Sequence, residues 1–241
     1  LLFFKLYFYT FVYLRQNLAM ILIWFGFIYY LDNQKIKGRC LSLLSVLFHN
    51  SGIISFLMFI KTSIFSKNTV YIFFILGCLL SFVFSTTQIF SILGGVVEND
   101  KASIYGDMES SSNFFYFVEA SILCFWLAIR FNVYKLENTK YQIVYNASVF
   151  YMFFLLLAVS NATAARFTWY FLIGPLMFIA NEININKKNK NLIFLLIIVY
   201  FSLIFFRVMT VWDGGDFMPY KSIFSDEPRH GRWEFMEYRL R

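Results

Sequence analysis

Two short polar words set in apolar sequence hold the residue types of this chain best suited to chemistry. Leu14-Arg15-Gln16-Asn17-Leu18-Ala19 opens one apolar run, and Leu47-Phe48-His49-Asn50-Ser51-Gly52 interrupts the middle of another. A guanidinium grips phosphate through planar, two-pronged donors and keeps its charge when partly buried. An imidazole titrates near neutrality, so His49 can serve as a general base, a proton carrier or a donor to a phosphate oxygen. Arg166 repeats the first pattern, with Tyr170 one turn on and Thr163 and Ala165 leaving room around it. Glu119, in Phe117-Val118-Glu119-Ala120-Ser121, is a carboxylate inside an apolar run, able to take a proton from a hydroxyl or to balance an arginine. Plainer readings stand beside each of these. An interfacial arginine can snorkel to lipid headgroups, a histidine can satisfy backbone groups freed by a helix break, and a carboxylate can be a counter-ion alone.

These side chains must be positioned by helices in a membrane. The chain has 241 residues, of which 59% are hydrophobic and 22% aromatic, with only 15% charged, more apolar surface than a soluble domain of this size can hide. Apolar runs of about 16–21 residues recur, the length that crosses ~30 Å of hydrocarbon as helix. Strict alternation with regular turns is absent, which argues against a β-barrel. The expected fold class is all-α: a polytopic bundle of about seven spans plus an interrupted or re-entrant segment near His49. Residues 1–209 form the transmembrane domain, with an external loop at 86–113, and 210–241 form an extramembrane tail. Cys40, Cys78 and Cys124 are scattered and odd in number, so they read as small apolar residues. The aromatic excess is expected mostly on lipid-facing and interfacial positions.

Loop charge orients the bundle. Apolar segments fall near 1–14, 16–31, 40–60, 69–85, 114–131, 142–159, 164–180 and 191–209. The connections 32–39, 61–68, 130–140 and 181–190 are basic, whereas 86–113 carries Glu98, Asp100, Asp107 and Glu109 against a lone Lys101. A single crossing by 40–60 places basic connections on both sides. If that segment instead enters, breaks at His49-Asn50-Ser51-Gly52 and returns, every basic connection is cytoplasmic, and the acidic loop and the tail are external. Gly tolerates unusual dihedrals and short polar side chains cap freed backbone, so the sequence suits a break; a kinked spanning helix is the alternative. On the re-entrant reading Arg15, Arg166, His49 and Glu119 all lie toward the external side, where the tail adds Asp213, Asp216, Pro219 and Tyr220. The net charge of +7 is then a topological signal and not a nucleic-acid footprint.

Several chemistries are disfavoured by what the sequence lacks. There is no phosphate-binding Gly-Lys loop, no dinucleotide turn, no HExxH and no GxSxG, and His49 has no neighbouring ligand set for a metal. No cofactor or metal is expected, and the substrate should arrive already activated through the membrane.

Tyr7-Phe8-Tyr9 leading to Arg15-Gln16-Asn17-Leu18-Ala19, a basic connection, and then Phe48-His49-Asn50-Ser51 resembles the EpsG/Wzy-type polysaccharide polymerases. Arg166-Phe167-Thr168-Trp169-Tyr170 is similar to that family's Arg-x-x-x-Tyr helix start, and Pro219-Tyr220 to its C-terminal Pro-Tyr. The first block, over roughly residues 1–60, is the more specific; 69–160 matches mainly in hydropathy. Such proteins usually have further N-terminal transmembrane helices, and a chain that opens Leu1-Leu2-Phe3-Phe4 is expected to be the C-terminal part of a longer one.

The resemblance implies a bacterial cytoplasmic-membrane glycosyltransferase of O-antigen, capsule or exopolysaccharide assembly. It would join undecaprenyl-diphosphate-linked oligosaccharide repeats at the periplasmic or outer face, with a chain-length regulator and a flippase of the same pathway as candidate companions. Catalytic roles would fall to His49, Arg15, Arg166 and Glu119, and diphosphate or glycan binding to Arg15, Gln16, Arg166, Tyr170 and Tyr220. Either arginine replaced by Ala should abolish long polymer, with Lys a poor rescue. Alternatives are an O-antigen ligase or membrane acyltransferase using His49, and a lipid-linked oligosaccharide flippase or transporter.

Overall fold

The computed structural model describes residues 14–60, 63–82, 114–160, 164–185 and 190–207, and every regular element among them is helical. In chain order these are α1 (Leu14–Leu31), α2 (Lys35–Phe48), a 3-10 helix (Asn50–Phe59), α3 (Lys67–Phe82), α4 (Phe114–Leu136), α5 (Thr139–Leu157), α6 (Ala165–Phe171), α7 (Ile173–Ile185) and α8 (Lys190–Arg207). The acidic loop, Tyr220 and the rest of the tail lie outside the described residues, as does 161–163. Two compact units divide the chain, one comprising 13–182 and the other the two ends, 1–12 and 183–241. In the second unit α8 is an apolar helix in which Tyr200 meets Phe201 edge-on at 5.1 Å.

Within residues 13–182 the polar pattern is inverted relative to a soluble protein. On α1 the exposed stripe is Leu14, Leu18, Ile21, Phe25 and Ile28, at helical spacing, while Gln16 and Asn17 are buried. On α4 Phe114, Val118, Ile122, Phe125 and Ile129 face outward in the same way. Ser42, Ser45, Ser55, Asn146, Ser148 and Glu182 are buried. Apolar outside and polar inside is the arrangement that hydrocarbon solvent demands. Among the described residues two helices, α1 and α4, are long and apolar enough to cross a membrane, and shorter apolar helices accompany them. This is an all-helical membrane protein.

Tyrosines are central to the interior. Tyr30, Tyr134, Tyr145, Tyr151 and Tyr170 are fully buried, and each hydroxyl bonds to another element. Tyr134 donates to the Phe178 carbonyl at 3.2 Å and Tyr145 to the Leu127 carbonyl at 3.0 Å. Between helices in lipid, where hydrophobic driving force is weak, such bonds and close packing do the joining. The aromatic excess therefore builds the core as well as the outer surface.

α1 ends in a left-handed Asn33 (φ 64°), with Gln34 N–H reaching the Tyr29 carbonyl at 3.0 Å and Asn33 N–H the Tyr30 carbonyl at 3.2 Å. This paired closure of helix carbonyls turns the chain straight back into α2. The two helices touch through glycines: a Cβ on Gly38 would lie 2.5 Å from the Gly26 carbonyl oxygen. α2 stops at Phe48, His49 is extended (φ −153°, ψ 117°), and the 3-10 helix runs back beside α2. Two contacts fix that reversal. A Cβ on Gly52 would lie 2.7 Å from Ser45 Oγ, and Tyr30, next to Gly38, donates to the Phe59 carbonyl at 3.2 Å. The interruption expected at His49 is a hairpin.

The connections segregate to two ends. At one, Lys140 pairs with Asp32 at 2.7 Å, and Asn146 bonds both the Ser63 carbonyl and the Phe65 N–H at 2.8 Å. At the other, Ser81 bonds Ser160 at 3.3 Å, Phe82 packs on Phe117, and Tyr116 packs beside Ala158, Ala164 and Ala165. The described residues of the connections 32–39, 61–68 and 130–140, basic in sequence, thus gather at one end, as the hairpin reading expects.

Candidate functional site

The opposite end holds the polar cluster. α6 begins there because Ala164 and Ala165 are small enough to pack under Tyr116 and Leu157, which brings Arg166 to the start of the helix. α6 stops at Phe171 because Pro175 has no N–H to offer the Phe171 carbonyl. Trp24 of α1 compensates nearby, its indole N–H shared between the Trp169 and Tyr170 carbonyls at 3.3 and 3.2 Å. Eight residues earlier on α1, Gln16 Nε2 donates to the Arg166 carbonyl at 2.9 Å. These bonds lock α6 alongside α1 and fix where Arg166 and Tyr170 stand.

Tyr170 then reaches the hairpin apex. Its hydroxyl lies 2.7 Å from Ser51 Oγ and 3.2 Å from His49 Nδ1, and Ser51 Oγ lies 2.7 Å from the same nitrogen. Tyr170 is fully buried, His49 and Ser51 only partly so. The Arg166 guanidinium is near enough to act electrostatically on the His49 ring. Gln16 is buried, and its Oε1 meets no donor among the described residues. The structure therefore joins Gln16, Arg166, Tyr170 and His49, four of the residues expected from the sequence, into one constellation.

The remaining candidates stand differently. Arg15 is exposed at the start of α1, beside Gln16, and makes no hydrogen bond or ion pair with the described residues. Glu119 is partly buried on α4 and accepts the Tyr151 hydroxyl of α5 at 2.5 Å. Its helix neighbour Tyr116, one turn away, packs next to Ala165, which puts Glu119 in the same end layer as Arg166. Tyr220 lies outside the described residues.

Ser51, Tyr151 and Trp24 are positioning residues that sequence reasoning did not select. Ser51 had a signal, since it sits two residues from His49 in the same polar word. Trp24 and Tyr151 had none beyond being polar-tipped aromatics in apolar runs.

A buried ion pair lies toward the other end. Arg130 Nε meets Glu182 at 2.9 Å, with Glu182 almost wholly buried. The sequence puts both residues in basic connections; α4 in fact continues to Leu136 and α7 to Ile185, so the pair clamps two helices. Removing one partner strands a buried charge, so Glu182→Leu alone should lower stability by ~3 kcal/mol. The double variant Arg130→Met/Glu182→Leu should recover most of that, as read by thermal unfolding in detergent.

A family model described as the EpsG family matches residues 1–222. No curated protein and no solved structure matches the chain.

Proposed function

This chain belongs to the EpsG family, and from that premise and the site's geometry we propose that it is a polysaccharide polymerase acting on diphosphate-linked glycans. The substrates are undecaprenyl-diphosphate-linked oligosaccharides, and the membrane is the bacterial cytoplasmic membrane. The observation that carries the reading is the Gln16–Arg166–Tyr170–Ser51–His49 constellation, which sits at the end of the bundle away from the basic connections. By the charge bias of membrane loops that end faces outward.

The chemistry follows from the donors present. The bond between the anomeric carbon and the diphosphate oxygen breaks, and its electron pair leaves with undecaprenyl diphosphate. A new bond forms from that carbon to the acceptor hydroxyl oxygen, whose proton passes to a carboxylate. Arg166 steadies the negative charge that grows on the diphosphate, where fixed donors in a water-poor site act most strongly. Arg15, exposed at the rim, draws the anionic headgroup in. Gln16 Oε1, an acceptor with no donor among the described residues, on a side chain bonded to the Arg166 carbonyl, is suited to a sugar hydroxyl. Glu119, held by Tyr151, is the carboxylate assigned to the acceptor proton.

Lipid-linked intermediates in a deletion strain test this reading. Loss of the polymerase leaves single repeats on the carrier at the outer face. Single repeats trapped on the cytoplasmic leaflet would make it a flippase, and full-length polymer stranded on the carrier a ligase; either result overturns the proposal.

A further inference from the structure

The histidine at the hairpin apex is surrounded by a closed set of partners. Ser51 Oγ, Tyr170 OH and His49 Nδ1 lie within hydrogen-bond distance of one another, at 2.7, 2.7 and 3.2 Å. Two hydroxyl hydrogens are available to a ring of three atoms. With Nδ1 bare, both are used: Tyr170 donates to Ser51 and Ser51 donates to Nδ1, or Ser51 donates to Tyr170 and Tyr170 to Nδ1. A proton on Nδ1 turns that nitrogen into a third donor facing two oxygens, so one hydroxyl hydrogen must leave the cluster. The bare nitrogen closes the set with no outside acceptor, whereas a protonated one turns a hydroxyl hydrogen, that of partly exposed Ser51 or of buried Tyr170, out of the cluster to find another partner, and a donor left without one costs free energy. The neutral ring resolves this by carrying its proton on Nε2, the nitrogen with no partner among the described residues, on a residue that is partly exposed.

We infer that Ser51 and Tyr170 are positioning residues that hold His49 as an Nε2–H donor, so that it binds a diphosphate oxygen and is not the base that takes the acceptor's proton. The inference rests on the diphosphate-linked substrate proposed above. It separates two jobs that an imidazole could do equally well by residue type alone. It also explains why the hairpin breaks where it does: the extended His49 brings Nδ1 within reach of its own Ser51, and the return helix carries that serine to Tyr170.

Glutamine and asparagine test the assignment, because the Gln amide N–H falls near the place of Nε2 and the Asn amide near that of Nδ1. The measurement is binding of undecaprenyl diphosphate to the purified protein in nanodiscs, alongside polymer formation from lipid-linked repeats. His49→Ala and His49→Asn should each weaken binding by about tenfold or more, the worth of one hydrogen bond to a charged oxygen, and His49→Gln should restore most of it. Ser51→Ala and Tyr170→Phe singly should cost less than ~3-fold, since the other hydroxyl still reaches Nδ1, but the pair should cost about tenfold. With Gln at 49 there is no Nδ1 to hold, so the Ser51/Tyr170 double substitution should lose that effect. A purely structural role for the two hydroxyls would keep it.

In the binding measurement the inference is overturned by wild-type protein that does not bind undecaprenyl diphosphate, by His49→Gln as weak as His49→Ala, or by His49→Asn as strong as wild type. A wild-type polymer ladder abolished equally by His49→Gln and His49→Ala in folded protein also overturns it, by making His49 the base, and leaves the polymerase reading standing. The predicted binding pattern in a protein that makes no polymer would do the reverse.

Discussion

Arg166→Ala should abolish long-chain polymer while the protein still inserts and folds, with turnover reduced by about 10²–10³-fold, the scale of losing one preorganised donor to a developing negative charge. Its backbone is fixed by Gln16, and its helix is held by Trp24 and by the small residues Ala164 and Ala165. The charge is thus delivered to one place and is not carried on a loose tether. Arg166→Lys should recover little, because a point charge replaces a fork that holds two oxygens at once. Arg15 gives the contrast. It is exposed and makes no bond with the described residues, so Arg15→Lys should recover more of the activity that Arg15→Ala loses. Glycan ladders from membranes expressing each variant at matched levels check both. A normal ladder from Arg166→Ala would remove the residue from the mechanism.

Glu119→Gln should lower turnover by ~10²–10³-fold, within the range for a general base, while affinity for undecaprenyl diphosphate stays the same or tightens. Gln can still accept the Tyr151 hydroxyl, so that contact between α4 and α5 is retained while the negative charge and the ability to take a proton are lost. Tyr151→Phe does the opposite, leaving the carboxylate but removing the hydroxyl that donates to it, and should cost about tenfold, the worth of a hydrogen bond to a charged group. If Glu119 served only as counter-ion to an arginine, its loss would change diphosphate binding more than turnover. Separate measurement of Kd and kcat distinguishes the two roles.

Much of this was legible in the sequence for identifiable physical reasons. Helices were legible because apolar runs must span hydrocarbon, and their observed bounds differ from the expected segments by a few residues at the described ends. The break at His49 was legible because loop charge is inconsistent with a straight crossing there. The hairpin's far end, where Phe59 meets Tyr30, supplies the contact that loop charge alone could only imply. Gln16, Arg166, Tyr170 and His49 were legible because polar residues are costly in an apolar run and so stand out. The Arg130–Glu182 clamp was not, since both residues sit where a helix end and a basic connection have the same composition. Nor were the hydroxyl partners: a buried tyrosine looks the same in sequence whether it faces a carbonyl, a carboxylate or a histidine. The resemblance added a substrate class that spacing could not supply.

The central claim is that the Arg166–His49 constellation transfers glycan from a diphosphate carrier. The most direct measurement puts purified protein into liposomes with an undecaprenyl-diphosphate-linked repeat unit and follows products by mass spectrometry. The account predicts linked dimers and higher oligomers, one undecaprenyl diphosphate released per bond formed, and neither product with Arg166→Ala. Wild-type protein that leaves the repeat unit unchanged, or an Arg166→Ala protein that matches it in product, would contradict the account.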